Sequence, residues 1–212
     1  MPIGPGGLDS NGIWQFGEDD GEALASDLLN LGMASISTEV GLLDAAVAAI
    51  VTGQILQVVS TTKTDTFSES LAGGAISSDV VTGLTATITP SSTSSKIMIR
   101  VCVHVADESQ YGYGGFVFRR GSTAIGLPDV SGSRPRLSAQ GGVLINSAED
   151  LALLSMDYED YPVSTSPITY GISRHNADAS SEVVYVNRSS GNPNNVRFAN
   201  PISTITLMEV AG

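Results

Sequence analysis

Cysteine, charge and long apolar runs are all scarce in this 212-residue chain. The single cysteine, Cys102, excludes an intrachain disulfide framework. It sits in the alternating run Lys96-Ile-Met-Ile-Arg-Val-Cys-Val-His-Val105, where a small structural side chain is favoured over a nucleophile. The apolar run Ala45–Val51 is far too short to span a bilayer, and the amino terminus lacks the basic stretch of a secretory signal. Those absences point to a product made in the cytoplasm without membrane insertion. Residues 1–62 contain no Lys, Arg or His but hold eight acids, whereas the rest of the chain carries 10 basic and 14 acidic groups. Phosphate backbones need a basic footprint, so nucleic acid is excluded as an expected partner.

The composition allows one sizeable domain plus an appendage. An apolar fraction of 42% argues for a folded chain, and only 15% of residues are charged. The abundance of Ser, Thr and Gly suits a β-rich exterior whose polar face carries hydroxyls rather than ions.

Near the start, Leu29, Met33, Ile36, Val40, Leu43, Val47 and Ile50 fall on one 4-3-4-3-4-3 ladder. This is the a/d seam of a coiled coil, buried only when other copies of the same helix cover it. Its β-branched residues at d, Ile36 and Ile50, disfavour a parallel dimer and permit a trimer. The seam corresponds to about 33 Å of helix. Gly32 and Gly41 weaken it, so the rest of the chain is expected to help hold the oligomer together. Asp19, Asp20 and Glu22 supply first-turn acids. Leu24, Leu28 and Leu31 form a second stripe on another face, with Gly32 at the handover. Ahead of them, Trp14 and Phe16 stand in a small, polar leader that cannot bury two aromatics by itself. They either dock into another protein or fold back on their own chain.

After Thr52-Gly53 the period changes to two. Strands are expected at Gln54–Ser60, Asp65–Ser68, Val80–Ile88, Lys96–Val105, Gly115–Arg119, Thr123–Gly126, Gly142–Asn146, Leu151–Met156, Ile168–Ser173, Glu182–Asn187 and Ile202–Val210. Turn clusters such as Pro90–Ser95 and Ser189–Asn195 separate them. Many short strands without intervening helices imply an antiparallel β-sandwich, with a jelly roll as its natural form.

The densest chemical cluster is Asp157-Tyr-Glu-Asp-Tyr161, expected as an acidic surface loop. Its functional readings are Ca²⁺ held by carboxylate oxygens, or a sugar stacked on Tyr158 or Tyr161. Tyr111-Gly-Tyr-Gly-Gly-Phe116 interleaves aromatics with glycine: exposed, Tyr111, Tyr113 and Phe116 would form an adaptable receptor contact; buried, the tyrosines would line an oligomer axis. Arg119, Arg120, Arg134 and Arg136 would meet anionic glycans or pair with local acids such as Asp129 or Glu108. Cys102 and His104 share a strand face at a spacing that suits a metal, but nearby partners are missing, which favours a packed or intersubunit pair. His175 stands alone. No catalytic constellation, phosphate-cradling loop or cofactor motif emerges, so the expectation is a non-enzyme with no cofactor and no committed metal site.

Five segments resemble the distal domain of tailed-phage fibre proteins: GQILQVVSTTKTDTFS at 53–68, GLTATITPSSTSSKIMIRV at 83–101, GSTAIGLPDVSGSR at 121–134, VYVNRS at 184–189 and ISTITLMEV at 202–210. GIWQF and the following EDDGEALASDLLNLGMASIST are similar to the virion-anchoring ends of phage minor tail proteins. The resemblance implies a homotrimer with a head like the C1q and tumour-necrosis-factor jelly rolls. Residues 1–20 would be a virion-anchoring leader carrying Trp14 and Phe16, 21–52 a helical stalk, and 53–212 the β head. Expected partners are the chain itself, other virion proteins through the leader, and a glycan or protein on the host surface. The alternative is a capsid fibre, decoration or tail component that braces neighbours without binding a receptor.

Overall fold

The structure is a computed structural model that describes residues 7–8, 14–15, 32–46, 52–76, 80–107, 114–140 and 148–212. The chain divides into two compact units, residues 1–52 and 53–212. In the first, β1 (Gly7–Leu8) pairs antiparallel with β2 (Trp14–Gln15), and residues 32–46 form the helix α1. Helix was expected across 21–52; its flanks on either side of 32–46 lie outside the described residues. No helix among the described residues is long and apolar enough to cross a membrane.

Among the described residues, the regular elements of the second unit are all strands. In chain order these are β3 (Ile55–Lys63), β4 (Phe67–Leu71), β5 (Thr85–Ile88), β6 (Lys96–Asp107), β7 (Gly115–Arg120), β8 (Thr123–Ile125), β9 (Ala139–Gln140), β10 (Ala152–Asp160), β11 (Ile168–His175), β12 (Glu182–Val186) and β13 (Ser203–Val210). They form two antiparallel sheets in a sandwich-like arrangement. The first runs β3-β13-β6-β12-β4 with β10 on the other edge of β6, and the second runs β5-β11-β7-β8 with β9 also on β7.

Alternation builds the core. Along β6, Ile97, Ile99, Val101, Val103 and Val105 point inward. They meet Ile205 and Leu207 of β13 and, from the second sheet, Phe116, Phe118, Tyr170, Ile172, Ala86 and Ile88. Each fully buried side chain of this size contributes about 1.5–3 kcal/mol. Gly126 adopts a left-handed φ of 62°, and a Cβ there would stand 3.1 Å from the Tyr158 ring, which packs on Phe118 with centroids 5.8 Å apart.

Three polar knots sit inside this frame. Glu209 is fully buried in β13 and accepts hydrogen bonds from Gln57 Nε2 (2.6 Å), Ser91 N (2.7 Å), Ser91 Oγ (2.6 Å) and Ser95 Oγ (2.7 Å). It thereby ties the Pro90–Ser95 turn to the sheet. Arg174, 1% exposed, donates through Nη2 to Asp107 (2.6 Å) and Glu182 (3.3 Å), joining β11 to β6 and β12. Beside it, burial and the Arg174 charge hold the His175 imidazole below its usual pKa. Asn187, with a left-handed φ of 59°, donates to Lys63 O (2.9 Å) and Asp65 O (3.0 Å) and accepts from Ser203 Oγ (2.5 Å).

The sequence period locates most strands but misplaces some ends. Val80–Gly83 was expected as strand and instead forms a turn, with Leu84 N donating to Val81 O at 3.0 Å and Gly83 at a φ of 76°. The whole of the expected strand Gly142–Asn146 lies outside the described residues.

Candidate functional site

Register determines what the outer face of the first sheet presents. Successive residues of a strand point to opposite sides, so the residues that alternate with the core face outward. From β6 these are Lys96, Met98, Arg100, Cys102 and His104; from β13, Thr204, Thr206, Met208 and Val210. Val58, Ser60 and Thr62 of β3 pair with Met208, Thr206 and Thr204. Leu153, Ser155, Asp157 and Glu159 complete the face from β10. One end of it is apolar, with Ile55, Leu56 and Val58 exposed. The middle carries hydroxyls, including a 3.0 Å contact between Ser60 and Thr206.

The acidic segment is not the surface loop that composition suggests. Asp157, Glu159 and Asp160 all lie within β10, because its pairing with β6 continues through Asp160 opposite Ile97. Asp157 faces outward and accepts from Arg100 Nε at 2.9 Å. Glu159 lies 3.5 Å from Lys96 and accepts a hydrogen bond from the Tyr161 hydroxyl, which together lower the pKa of its carboxyl. Asp160 points the other way, where it accepts from Arg120 Nη1 (3.0 Å) and from the Tyr170 hydroxyl (2.7 Å). Burial and Asp160 raise the Tyr170 pKa, so the phenol stays protonated as the donor. The three carboxylates therefore diverge onto two faces, each beside its own cation. Among the described residues no group of three or more His, Cys, Asp or Glu is placed to hold a metal ion.

The aromatics separate by environment. Phe116, expected as a receptor contact, is 3% exposed in the core, because Gly115–Arg120 is an interior strand of the second sheet flanked by β11 and β8 or β9. Tyr158 is half-buried against Phe118 and Gly126. Tyr161 is 57% exposed, with Lys96 Nζ 5.9 Å from its ring centroid. Tyr111 and Tyr113 lie outside the described residues, as do Phe16, Leu29, Val47 and Ile50. Trp14 lies in β2, its backbone paired with Leu8. Met33 (68%), Ile36 (62%), Val40 (51%) and Leu43 (65%) are all exposed on α1.

Arg119, Arg120 and Arg136 find partners other than Asp129, and Glu108 lies outside the described residues. Arg120 meets Asp160, Arg119 Nε donates to Ser173 Oγ at 2.7 Å, and Arg136 Nε donates to Pro128 O at 2.6 Å. Cys102 and His104 do share one face, but each has a separate neighbour. Cys102 Sγ lies 3.7 Å from Ser155 Oγ, and His104 Nδ1 lies 2.8 Å from Ile202 O.

Among the described residues of the second unit, two open hollows stand out. One, of about 440 Å³, is lined by Arg120, Pro162, Ser164, Pro167 and Thr169 among others. It lies beside the Asp160 end of β10. The other, of about 240 Å³, is formed by Asn192, Pro193, Asn194, Asn195, Phe198 and Asn200. Sequence reasoning treated this asparagine-rich segment only as a turn. Its one signal was the density of amides, which turn chemistry explains equally well.

No family model matches the chain, and no curated protein matches it. Among solved structures it is weakly similar to that of the infectious bursal disease virus Gx strain. The identity is 14% and the TM-score 0.39, over 75% of this chain and 39% of that one. It is also similar to the infectious bursal disease virus VP2 subviral particle, at 12% identity and a TM-score of 0.34, over 73% of this chain and 38% of that one. The chain thus spans about two fifths of the length of those structures.

Proposed function

We propose that this chain is a homotrimeric virion fibre protein of a tailed phage, anchored through its amino-terminal leader and presenting a jelly-roll head for attachment to the host surface. The observation that carries this reading is the exposure of four consecutive seam residues, Met33, Ile36, Val40 and Leu43, on α1. A single chain leaves that apolar stripe in water, and parallel copies of the same helix are the partner that a 4-3-4 spacing fits. The outer face of the first sheet supports the same conclusion. Ile55, Leu56 and Val58 are exposed there, and its main charges are neutralised within the chain as the Arg100–Asp157 and Lys96–Glu159 pairs. Three such faces can meet without strong repulsion.

Trimeric display multiplies weak receptor contacts through effective concentration, a physical reason for an adhesin to be trimeric. Trp14 and Phe16 remain the proposed anchor. The divergent carboxylates of β10 favour binding over hydrolysis, since glycosidic cleavage uses two carboxyls facing each other across the scissile bond.

Sedimentation equilibrium of the full chain tests the assembly. The expected mass is three times 21.9 kDa, and a combined Val40→Asp and Leu43→Asp variant should dissociate more readily. A wild-type protein that stays monomeric at micromolar concentration would sink the proposal. Competition between purified protein and virions for host cells tests attachment. Protein that neither binds the cells nor blocks adsorption removes the adhesin role.

A further inference from the structure

We infer that the hollow formed by Asn192, Pro193, Asn194, Asn195, Phe198 and Asn200 is a binding site for a terminal, uncharged sugar ring. The inference deepens the host-attachment reading and rests on it for the surface that meets the cell.

Topology puts this hollow at the end of the second unit away from the chain's entry. β3 starts at Ile55, paired with Val210, and finishes at Lys63, paired with Ser203. The chain enters beside the first pair, where Gly53 N donates to Ala211 O at 2.8 Å. The asparagine-rich segment leads directly into Ser203 and so lies at the second.

The chemistry of the lining is specific. Each asparagine carries both a donor and an acceptor, which matches sugar hydroxyls that also donate and accept. Phe198, half-buried against Gly191, and Pro193 add a small apolar edge to a lining that is otherwise polar. No charged residue lines the hollow. The adjacent Arg197 points its guanidinium toward Glu149, at 3.7 Å. At about 240 Å³ the space is smaller than the roughly 300–1,000 Å³ of pockets that engulf drug-sized ligands, and suits one ring.

Turn formation alone does not use these amides. Asn195 Oδ1 accepts from Arg197 N at 3.1 Å, a local turn contact. The side chains of Asn192, Asn194 and Asn200 make no hydrogen bond among the described residues. The backbone beneath them is nevertheless held. Gly191 N donates to Ala148 O (3.1 Å), Asn195 N to Pro193 O (2.8 Å) and Phe198 N to Asn195 O (3.0 Å). A Cβ on Gly191 would lie 2.8 Å from Phe198 Cε1, so glycine is what lets the ring pack there. At the base of the segment Asn187 is buried with three hydrogen bonds. Exposed amides mounted on a pinned backbone are free to turn toward the hydroxyls of a ligand.

The test is NMR titration of the full-length protein with the methyl glycosides of glucose, galactose, mannose and rhamnose, and with methyl glucuronide as the charged control. At least one neutral glycoside should bind with a Kd on the order of 1 mM, and the glucuronide should bind about tenfold more weakly. Asn194→Ala should weaken binding about tenfold, the equivalent of one or two lost hydrogen bonds. Phe198→Leu, which keeps apolar contact with Gly191, should also weaken it. An unchanged thermal melt establishes that each variant is folded. The inference is overturned if none of the neutral glycosides binds below about 10 mM, or if binding survives both substitutions unchanged. Adsorption competition separates the two readings: protein that blocks adsorption but fails the glycoside test loses this site and keeps its attachment role.

Discussion

Glu209 offers the sharpest test of how the β unit is held. Burial alone would raise its pKa, but the hydrogen bonds donated by Ser91, Gln57 and Ser95 outweigh that effect and hold the carboxyl at about 2, against an ordinary 4.5. A depressed folded-state pKa means that the carboxylate stabilises the fold fully above 4.5, and that this contribution is lost as the pH falls through about 2. At roughly 1.4 kcal/mol per pKa unit, the contribution at neutral pH is on the order of 3 kcal/mol. Glu209→Gln keeps the shape but turns an NH₂ toward Gln57 Nε2, which is already committed to Thr89 O at 2.7 Å. Two donors then face each other. For a domain of this size the expected loss is about 6–12 °C in Tm at neutral pH. Urea titrations at one fixed protein concentration should show the gap between wild type and variant narrowing by about 2 kcal/mol from pH 5 to pH 3, because the unfolded chain takes up a proton at Glu209 in this range while the folded carboxylate stays largely ionised. A gap that stays constant over this range, or a Tm change below about 2 °C at pH 7, would refute the reasoning.

Arg174→Met removes the cation shared by the buried Asp107 and Glu182, and should cost about 3–5 kcal/mol in urea unfolding. Asn187→Ala loses three hydrogen bonds and places a Cβ residue at a φ of 59° without a compensating side chain, for an expected loss of about 2–4 kcal/mol. Asn187→Gly should be the milder of the two, because glycine accepts that backbone geometry. Arg100→Ala breaks the pair with Asp157 on the face proposed to meet its copies, so it should leave each chain folded but weaken the trimer in sedimentation equilibrium.

Local periodicity made the strands legible. The run from Lys96 alternates so regularly that its start coincides with that of β6, and Ile202–Val210 differs from β13 by one residue. Errors arose where a local signal met a long-range partner. Asp157-Tyr-Glu-Asp-Tyr161 looks like a loop by charge, yet Arg100 and Lys96 on the neighbouring strand neutralise Asp157 and Glu159 and let the pairing continue. Phe116 looks like a contact residue by its Tyr and Gly neighbours, although β7 carries it into the core. The knots at Glu209 and Arg174 join residues 118 and 67 positions apart, and no spacing rule anticipates such pairs. The asparagine hollow was hidden for a different reason. Turn-forming amides and ligand-binding amides are the same residues until the hydrogen-bond ledger shows which are engaged.

In the proposed trimer, charge decides which part of the chain supplies the association energy. Residues 1–62 carry eight acids and no base, so three copies side by side concentrate about 24 negative charges around the stem. Repulsion there opposes the gain from burying Met33, Ile36, Val40 and Leu43, and it grows as ionic strength falls. The outer face of the first sheet carries no such penalty, since Arg100 and Lys96 neutralise Asp157 and Glu159 within each copy. Its exposed Ile55, Leu56 and Val58 add apolar area at the end where the chain enters. In that trimer the head would supply the cohesion that charge does not oppose, and the helical seam would set register and spacing. Salt should consequently tighten the stem while leaving head contacts nearly unaffected, the opposite of what an assembly held by intersubunit ion pairs would do.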